Sequence, residues 1–280
     1  MGLLVEDKIL SWKDTQNYTE YYKTIALKQF VNIYNKYKNN IAKAFYWGYE
    51  TEYMLVKKCG KDFKLNLKGT EIIKKMKNKK NKNCWLPEYS EWMVEKIADK
   101  PFNSKIKNIE SIEYILNKDL NQINRELKEN EYAILLSCFP LLGDNKNIFN
   151  LKEKLFNNYS ESELIPDNII NKHIRFKTLT ENIKKRRGKK VSIKRNIFQD
   201  ILTDTKEINM DCMAFGMGNC CSQITIQCEN MEKALYLYDQ FALLSPLLLY
   251  LSSSCPFIKG HLTQTQNRWK IIDLVQFFGI

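Results

Sequence analysis

Early in the chain, apolar side chains are spaced for a helix. Tyr21, Leu27, Phe30, Val31 and Ile33 recur at three- and four-residue steps among lysines and asparagines, which predicts a helix over 13–40. The pattern then changes: Phe45 to Val56 is aromatic and β-rich and reads as a strand, with a hairpin partner expected over Phe63 to Leu67. A second helical stretch is predicted over Ile109 to Glu129, followed by a buried strand from Tyr132 to Phe139 that stops at Pro140. Residues 144–170 are polar and irregular, and Lys184 to Lys194 reads as a basic loop. From Ser222 to Cys228 the alternation is clean, with Ser222, Ile224, Ile226 and Cys228 on one side and Gln223, Thr225 and Gln227 on the other. Asn230 is placed to cap a helix over 231–244 whose apolar side is Ala234, Leu235, Leu237, Tyr238 and Phe241. Helices and strands of irregular order, without strict β-α alternation, predict an α+β fold around a mainly antiparallel sheet.

The chain has 280 residues and 44% hydrophobic content, enough for one substantial core, and no Pro- or Gly-rich linker divides it. A single domain over 1–280 is therefore expected. The formal charge of +12 draws heavily on runs such as Lys74 to Asn83, read as a solvated Lys/Asn-rich insertion at 74–83. A basic surface attracts nucleic acid and nucleotide triphosphates alike. Aromatic residues are not interleaved with these lysines, so no base-stacking platform is evident and no nucleic-acid partner is expected. None of the eight cysteines forms a Cys-x-x-Cys pair and the opening Met1 to Glu6 does not read as a secretory leader, so reduced thiols in the cytoplasm are expected. The longest apolar run, Phe241 to Leu251 with Pro246 inside it, falls short of the ~20 residues that span a bilayer, and no membrane association is expected.

The acidic residues change the picture. Glu50 and Glu52 are two apart on a predicted strand and so share a face. Their neighbours Phe45, Tyr46, Trp47, Tyr53, Met54 and Leu55 imply an interior strand, where two like charges are disfavoured without a cation. A second acidic element runs Pro87-Glu88-Tyr89-Ser90-Glu91-Trp92-Met93-Val94-Glu95. Glu88 and Glu95 are seven apart, which fits one face of a helix, or a strand if a bulge resets the phase. Glu50, Glu52, Glu88 and Glu95 converging would make an oxygen-only site suited to magnesium. With two histidines and no His/Cys cluster, zinc is disfavoured.

Trp47-Gly48-x-Glu50-x-Glu52-Tyr53-Met54 and Pro87-Glu88-Tyr89 with Glu95 resemble the acidic elements of eukaryotic-type glutamate–cysteine ligases. So do Met1-Gly2-Leu3-Leu4, Trp12, Asn171-Lys172-His173-x-Arg175-Phe176 and Arg186-Arg187-Gly188-x-Lys190-Val191. The most specific stretch is Met210-Asp211-x-Met213-x-Phe215-Gly216-Met217-Gly218-Asn219-Cys220-Cys221-x-Gln223-x-Thr225, followed by Ala234-x-Tyr236-Leu237-Tyr238-Asp239 and Arg268-Trp269. The resemblance implies a glutamine-synthetase-like carboxylate–amine ligase fold, a curved antiparallel sheet flanked by helices with magnesium at its floor. It implies ATP- and magnesium-dependent joining of the glutamate γ-carboxyl to the cysteine amine through a γ-glutamyl phosphate, the first step of glutathione biosynthesis, with glutamate, cysteine and ATP as substrates and a regulatory subunit as a candidate partner. By position, Glu50, Glu52, Glu88 and Glu95 correspond to metal ligands. Met217, Cys221, Gln223 and Arg268 correspond to substrate-binding residues, with Arg268 also in a catalytic role. Read from the residues alone, Cys221 is a small core thiol rather than a substrate contact, and Gly216-x-Gly218 a turn before a strand. Arg186 and Arg187 either add charge near a polyphosphate or belong to a solvated loop.

The chain also departs from the family. Tyr49 stands where an aspartate is usual, Asp119 and Leu120 where arginines are paired, and Leu141 where there is an arginine. The apolar stretch Trp269 to Ile280 and the absence of the family's later segments imply an N-terminal portion, incomplete at its C-terminus, with an exposed patch there. These departures define the alternative, a catalytically dead or truncated homologue acting as a binding or regulatory module.

Overall fold

The computed structural model describes residues 10–77, 84–144, 149, 158–201, 203–253, 256–265 and 267–276. The predicted first helix is two, α1 (Trp12–Asn17), capped by the Ser11 hydroxyl, and α2 (Thr19–Tyr37), with the break at Tyr18. Its apolar face is correctly spaced but not buried: Tyr21, Leu27, Phe30 and Ile33 are all more than half exposed.

The fold is organised by one 14-residue strand, β1 (Tyr46–Cys59). It turns at Gly60, whose φ of +67° suits a residue without a Cβ, into β2 (Asp62–Leu65), the expected hairpin partner. Helix α3 (Gly69–Lys77) follows, so the insertion expected at 74–83 begins as a helical turn with Met76 buried; residues 78–83 lie outside the described residues. Next come β3 (Trp85–Pro87), β4 (Met93–Ile97) and β5 (Phe102–Asn103). Helices α4 (Ile106–Glu110) and α5 (Ile112–Asn124) replace the single helix expected to reach Glu129. Strand β6 (Glu131–Ile134) is shorter than the predicted 132–139, because only Glu131 to Ile134 pair with β1; Leu135 and Leu136 beyond it are exposed, and so is the paired Tyr132.

Every strand on β1 runs antiparallel to it. Residues paired on both sides show that β9 (Ser222–Gln227) and β6 share one edge, and β5, β4 and β2 the other. The sheet is thus antiparallel within an α+β architecture. One face, built on Tyr53, Leu55, Trp85 and Val94, is covered by Ile72, Ile73 and Met76 of α3 and by Ile123 of α5. The other carries Met54, Val56 and Met93 and packs on a second core containing Phe176 of α6 (Ile174–Arg187) and Ile193 of β7 (Ile193–Asn196), with Ile208 and Met210 of β8 (Glu207–Met210). The short α7 (Ala214–Met217) completes that layer with α9 (Trp269–Gln276).

Lys184 to Arg187, predicted as loop, form the last turn of α6. Gly188, in the left-handed conformation at φ +67°, terminates it. Asn230 caps α8 (Met231–Leu251) as expected, its side chain accepting from the Lys233 N–H at 2.9 Å, but the helix runs seven residues past the predicted 244 and buries none of its residues. Counted from Met231 rather than from Phe241, α8 is a 21-residue helix containing an 18-residue window of mean hydropathy 1.3, long and apolar enough to cross a membrane by length and composition; Asp239 sits near its middle. The hairpin β10 (Phe257–Ile258) and β11 (His261–Leu262) leads to α9. The apolar patch expected over 269–280 is partly core: Ile271 and Val275 are buried against α7, whereas Trp269 is exposed and residues 277–280 lie outside the described residues.

Candidate active site

Strand alternation on β1 puts Glu50 and Glu52 on the face opposite Tyr49, Thr51 and Tyr53. On one side Glu52 is in register with Glu95 of β4, so the two carboxyls are cross-strand neighbours. Pro87 closes β3 and Glu88 follows it directly, before the chain turns back into β4. The seven-residue spacing of Glu88 and Glu95 is therefore that of a hairpin, neither of the two geometries the spacing alone allowed. One carboxylate oxygen from each of Glu52, Glu88 and Glu95 comes within 4.8 Å of the others. Glu50 stands beside this trio, close enough to bear on Glu95.

Burial dominates the electrostatics. Desolvation, then the Glu95 charge, hold Glu52 up at about 7 against the bond from the Cys221 N–H and the attraction of Arg268. Desolvation and Glu52 push Glu88 to about 7, and desolvation, Glu88 and Glu50 push Glu95 to about 8. Other buried acids are satisfied. Glu91 accepts from the Thr70 N–H and hydroxyl and from the Lys172 N–H, and Asp211 from the Ser162 hydroxyl and the Glu163 N–H. Glu95 differs: both its oxygens are buried with no N–H or hydroxyl donor among the described residues to satisfy them. The contact it does make is with another acid, Glu50, and carboxyls bond only by sharing a proton. An all-oxygen cluster with an unsatisfied buried member fits a hard divalent cation.

On the other side of β1, Gln223 is in register with Glu50, which confirms that it shares the acidic face. Just before β9 the Cys221 N–H donates to a Glu52 carboxylate oxygen at 2.9 Å, while its carbonyl accepts from the Glu52 N–H at 3.0 Å. The half-buried Cys221 thiol is pushed up to about 12 by desolvation and by Glu52, so it stays protonated. The Gln223 amide approaches its sulfur at 3.7 Å. Arg268 is half-buried, its charge reaches Glu52 and Cys221, and no described residue engages its guanidinium in a hydrogen bond or ion pair. Met217 is half-buried against the Gln276 amide.

The Gly216-x-Gly218 turn is a packing requirement. A Cβ on Gly216 would lie 2.3 Å from Val275 of α9, and one on Gly218 2.5 Å from the Ala214 carbonyl and 2.6 Å from the Trp92 ring. Trp92 in turn donates its indole N–H to the Gly218 carbonyl at 3.3 Å. Gly218→Ala is expected to destabilise the protein by about 1–3 kcal/mol through overpacking against backbone and a buried ring, read as a lower urea midpoint at unchanged slope.

Arg186 and Arg187 have structural partners elsewhere. Arg186 lies over the Trp12 ring at 5.6 Å, and Arg187 donates to the Leu274 carbonyl at 2.9 Å, at the end of α9. A residue not singled out as a site is Arg175, whose charge bears on Glu88. The His173 imidazole, accepting from the Arg175 N–H at 3.2 Å, caps α6 there. The signal was its place in the Asn171–Phe176 motif.

Two family departures prove to be one. Tyr49 donates its hydroxyl to Asp119, both are buried, and alternation puts the pair on the helix-covered face, away from the carboxylates. Tyr49 thus neighbours the acidic pair in sequence only. Leu120 packs into the same helix-covered core, and Leu141 is exposed near Phe139 and Pro140. Tyr49→Phe strands a buried acid and is expected to cost about 1–3 kcal/mol of stability with no change in magnesium affinity, measured by urea unfolding and calorimetry.

Residues 1–275 match the glutamate-cysteine ligase family. The chain is similar to a glutamate–cysteine ligase of Dictyostelium discoideum, 33% identical across 97% of this chain and 49% of that protein. It is also similar to the human glutamate–cysteine ligase catalytic subunit, 34% identical across 97% of this chain and 47% of the relative, and to the Candida albicans glutamate–cysteine ligase at 34%, across 97% and 44%. The chain spans about half the length of the curated relatives it matches.

Proposed function

Because this chain belongs to the glutamate–cysteine ligase family, we propose that it supplies the metal- and substrate-binding face for ATP-dependent joining of the glutamate γ-carboxyl to the cysteine amine, on a glutamine-synthetase-like sheet. The observation that supports this most is the largely buried cluster of Glu52, Glu88 and Glu95, with Glu95 unsatisfied by any described donor, on the same face as Gln223 and beside Arg268, which no described residue pairs.

Glu52, Glu88 and Glu95, with Glu50 alongside, would hold magnesium, which when bound neutralises phosphate oxygens as negative charge builds on them. Arg268 holds a substrate carboxylate through its two-pronged guanidinium, and Gln223 and Met217 line the same place. The Cys221 backbone N–H keeps the Glu52 carboxylate oriented. In the proposed reaction the γ-carboxylate oxygen attacks the terminal phosphorus of ATP, giving γ-glutamyl phosphate and ADP. The cysteine amine then attacks the acyl carbon, loses a proton and expels phosphate, leaving the amide. The reading extends to a cytoplasmic protein and, since one relative carries the name catalytic subunit, to a regulatory partner. The non-catalytic alternative loses weight because Tyr49 and Asp119 satisfy each other on the far face.

The direct test is magnesium-dependent phosphate release from ATP. It should require L-glutamate and rise with L-cysteine, assayed with the chain alone and with the second half of a longer relative supplied alongside. No glutamate dependence in either case would end the proposal. Arg268→Lys, which keeps the charge and loses the fork, is expected to weaken glutamate binding about tenfold or more by calorimetry, leaving magnesium binding intact.

A further inference from the structure

We propose that a separate cavity at the start of α9 binds a small phosphate-class oxyanion. The cavity, about 410 Å³, lies between β7 and the turn entering α9 and shares no lining residue with the carboxylate cluster. Among the described residues three cations line it, Lys194, Arg195 and Lys270, together with Asn196, Gln264, Thr265 and Asn267, and no acid does. The walls are fixed: the Gln264 N–H donates to the Asn196 carbonyl at 3.0 Å, and Asn267 caps the helix by accepting from the Lys270 N–H at 3.3 Å.

Two observations point to a ligand rather than to a solvated basic patch. Thr265 is 93% buried, being 7% exposed, and its hydroxyl has no hydrogen-bond partner among the described residues. One terminal nitrogen of Arg195 is also buried without a partner among the described residues, while the other donates to the Lys194 carbonyl at 2.8 Å. Unsatisfied buried donors are costly, and two of them lining one cationic cavity call for an acceptor. The helix adds to the demand. Its first turn holds no acid and instead carries Lys270, a cation at the end where the peptide dipoles favour an anion. Lys194 is partly neutralised by Glu207 at 2.7 Å across the hairpin, which leaves Arg195 and Lys270 as the main anchors. No described aromatic side chain lines the cavity, so recognition rests on the oxyanion and not on an attached ring.

Inorganic phosphate and glycerol 3-phosphate should be titrated separately into the complete chain by calorimetry, in EDTA, so that the carboxylate cluster holds no metal. Saturable binding is expected. Lys270→Glu, at an exposed position, and Arg195→Gln should each weaken it about tenfold or more, and Thr265→Val, which removes only the hydroxyl donor, about tenfold. Glu95→Gln should leave it unchanged. Equal affinity for the two ligands would identify the bare oxyanion as the ligand, and tighter binding of the ester a phosphorylated metabolite. Absence of saturable binding of both, binding indifferent to Lys270→Glu and Thr265→Val, or binding lost in Glu95→Gln would overturn the proposal.

Discussion

Replacing Glu95 with glutamine is expected to lower magnesium affinity at least about a hundredfold and, at the same time, to make the metal-free protein more stable at pH 8. The two effects share a cause. Glu95 is 1% exposed, its oxygens lack donors, and it lies among Glu52, Glu88 and Glu50. Ionised, it is a hard ligand whose loss should exceed the 10- to 100-fold typical of groups that merely orient ligands. Without a cation the same charge is buried among like charges, and a neutral amide relieves that by on the order of 1–3 kcal/mol. A purely structural carboxylate would do the opposite. Glu91 is the control: with three donors on its carboxylate, Glu91→Gln should destabilise the protein at every pH and leave magnesium affinity nearly unchanged. Calorimetry with magnesium and urea unfolding of both variants in EDTA separate the cases. A Glu95→Gln protein that is less stable and binds magnesium normally would remove the acids from any metal site.

Much of this site could be read in the sequence because strand alternation is a strong local rule. Two-residue spacing put Glu50 and Glu52 on one face, and the clean alternation of Ser222 to Cys228 put Gln223 on the polar side of its strand, which the register with Glu50 bears out. Glu88 and Glu95 were harder, since seven residues fit several geometries; the hairpin that unites them depends on Pro87 ending one strand and on pairing with a distant β1. The Tyr49–Asp119 contact joins residues 70 apart, and no local pattern announces it. Burial misled where amphipathic spacing was right. Helices α2 and α8 form as periodicity and the Asn230 cap predict, yet no described part of the chain covers their apolar faces. Periodicity reports that a helix has a face to bury, and not whether a partner is present to bury it.

Magnesium is expected to reverse the pH dependence of stability. In the metal-free protein Glu52, Glu88 and Glu95 titrate near 7, 7 and 8 because burial and mutual repulsion disfavour their charges, against an ordinary 4.5 in the unfolded chain. Below about 4.5 both states are protonated and these groups cost nothing. Between there and about 8 the folded protein holds protons that the unfolded chain has released, so stability falls as pH rises, by about 1.4 kcal/mol per pH unit for each excess proton. Above 8 these three add no further slope. A bound cation requires the ionised acids, so binding must expel those protons and its affinity must climb through the same window, by about tenfold or more from pH 6 to pH 8. Saturating magnesium should therefore raise the melting temperature little near pH 5.5 and strongly at pH 8, where the metal-free protein is weakest. Titrations in buffers of differing ionisation enthalpy should register proton release near neutrality. Magnesium binding that is indifferent to pH would mean that the ion sits elsewhere, and that the repulsion among these carboxyls is relieved by some other means.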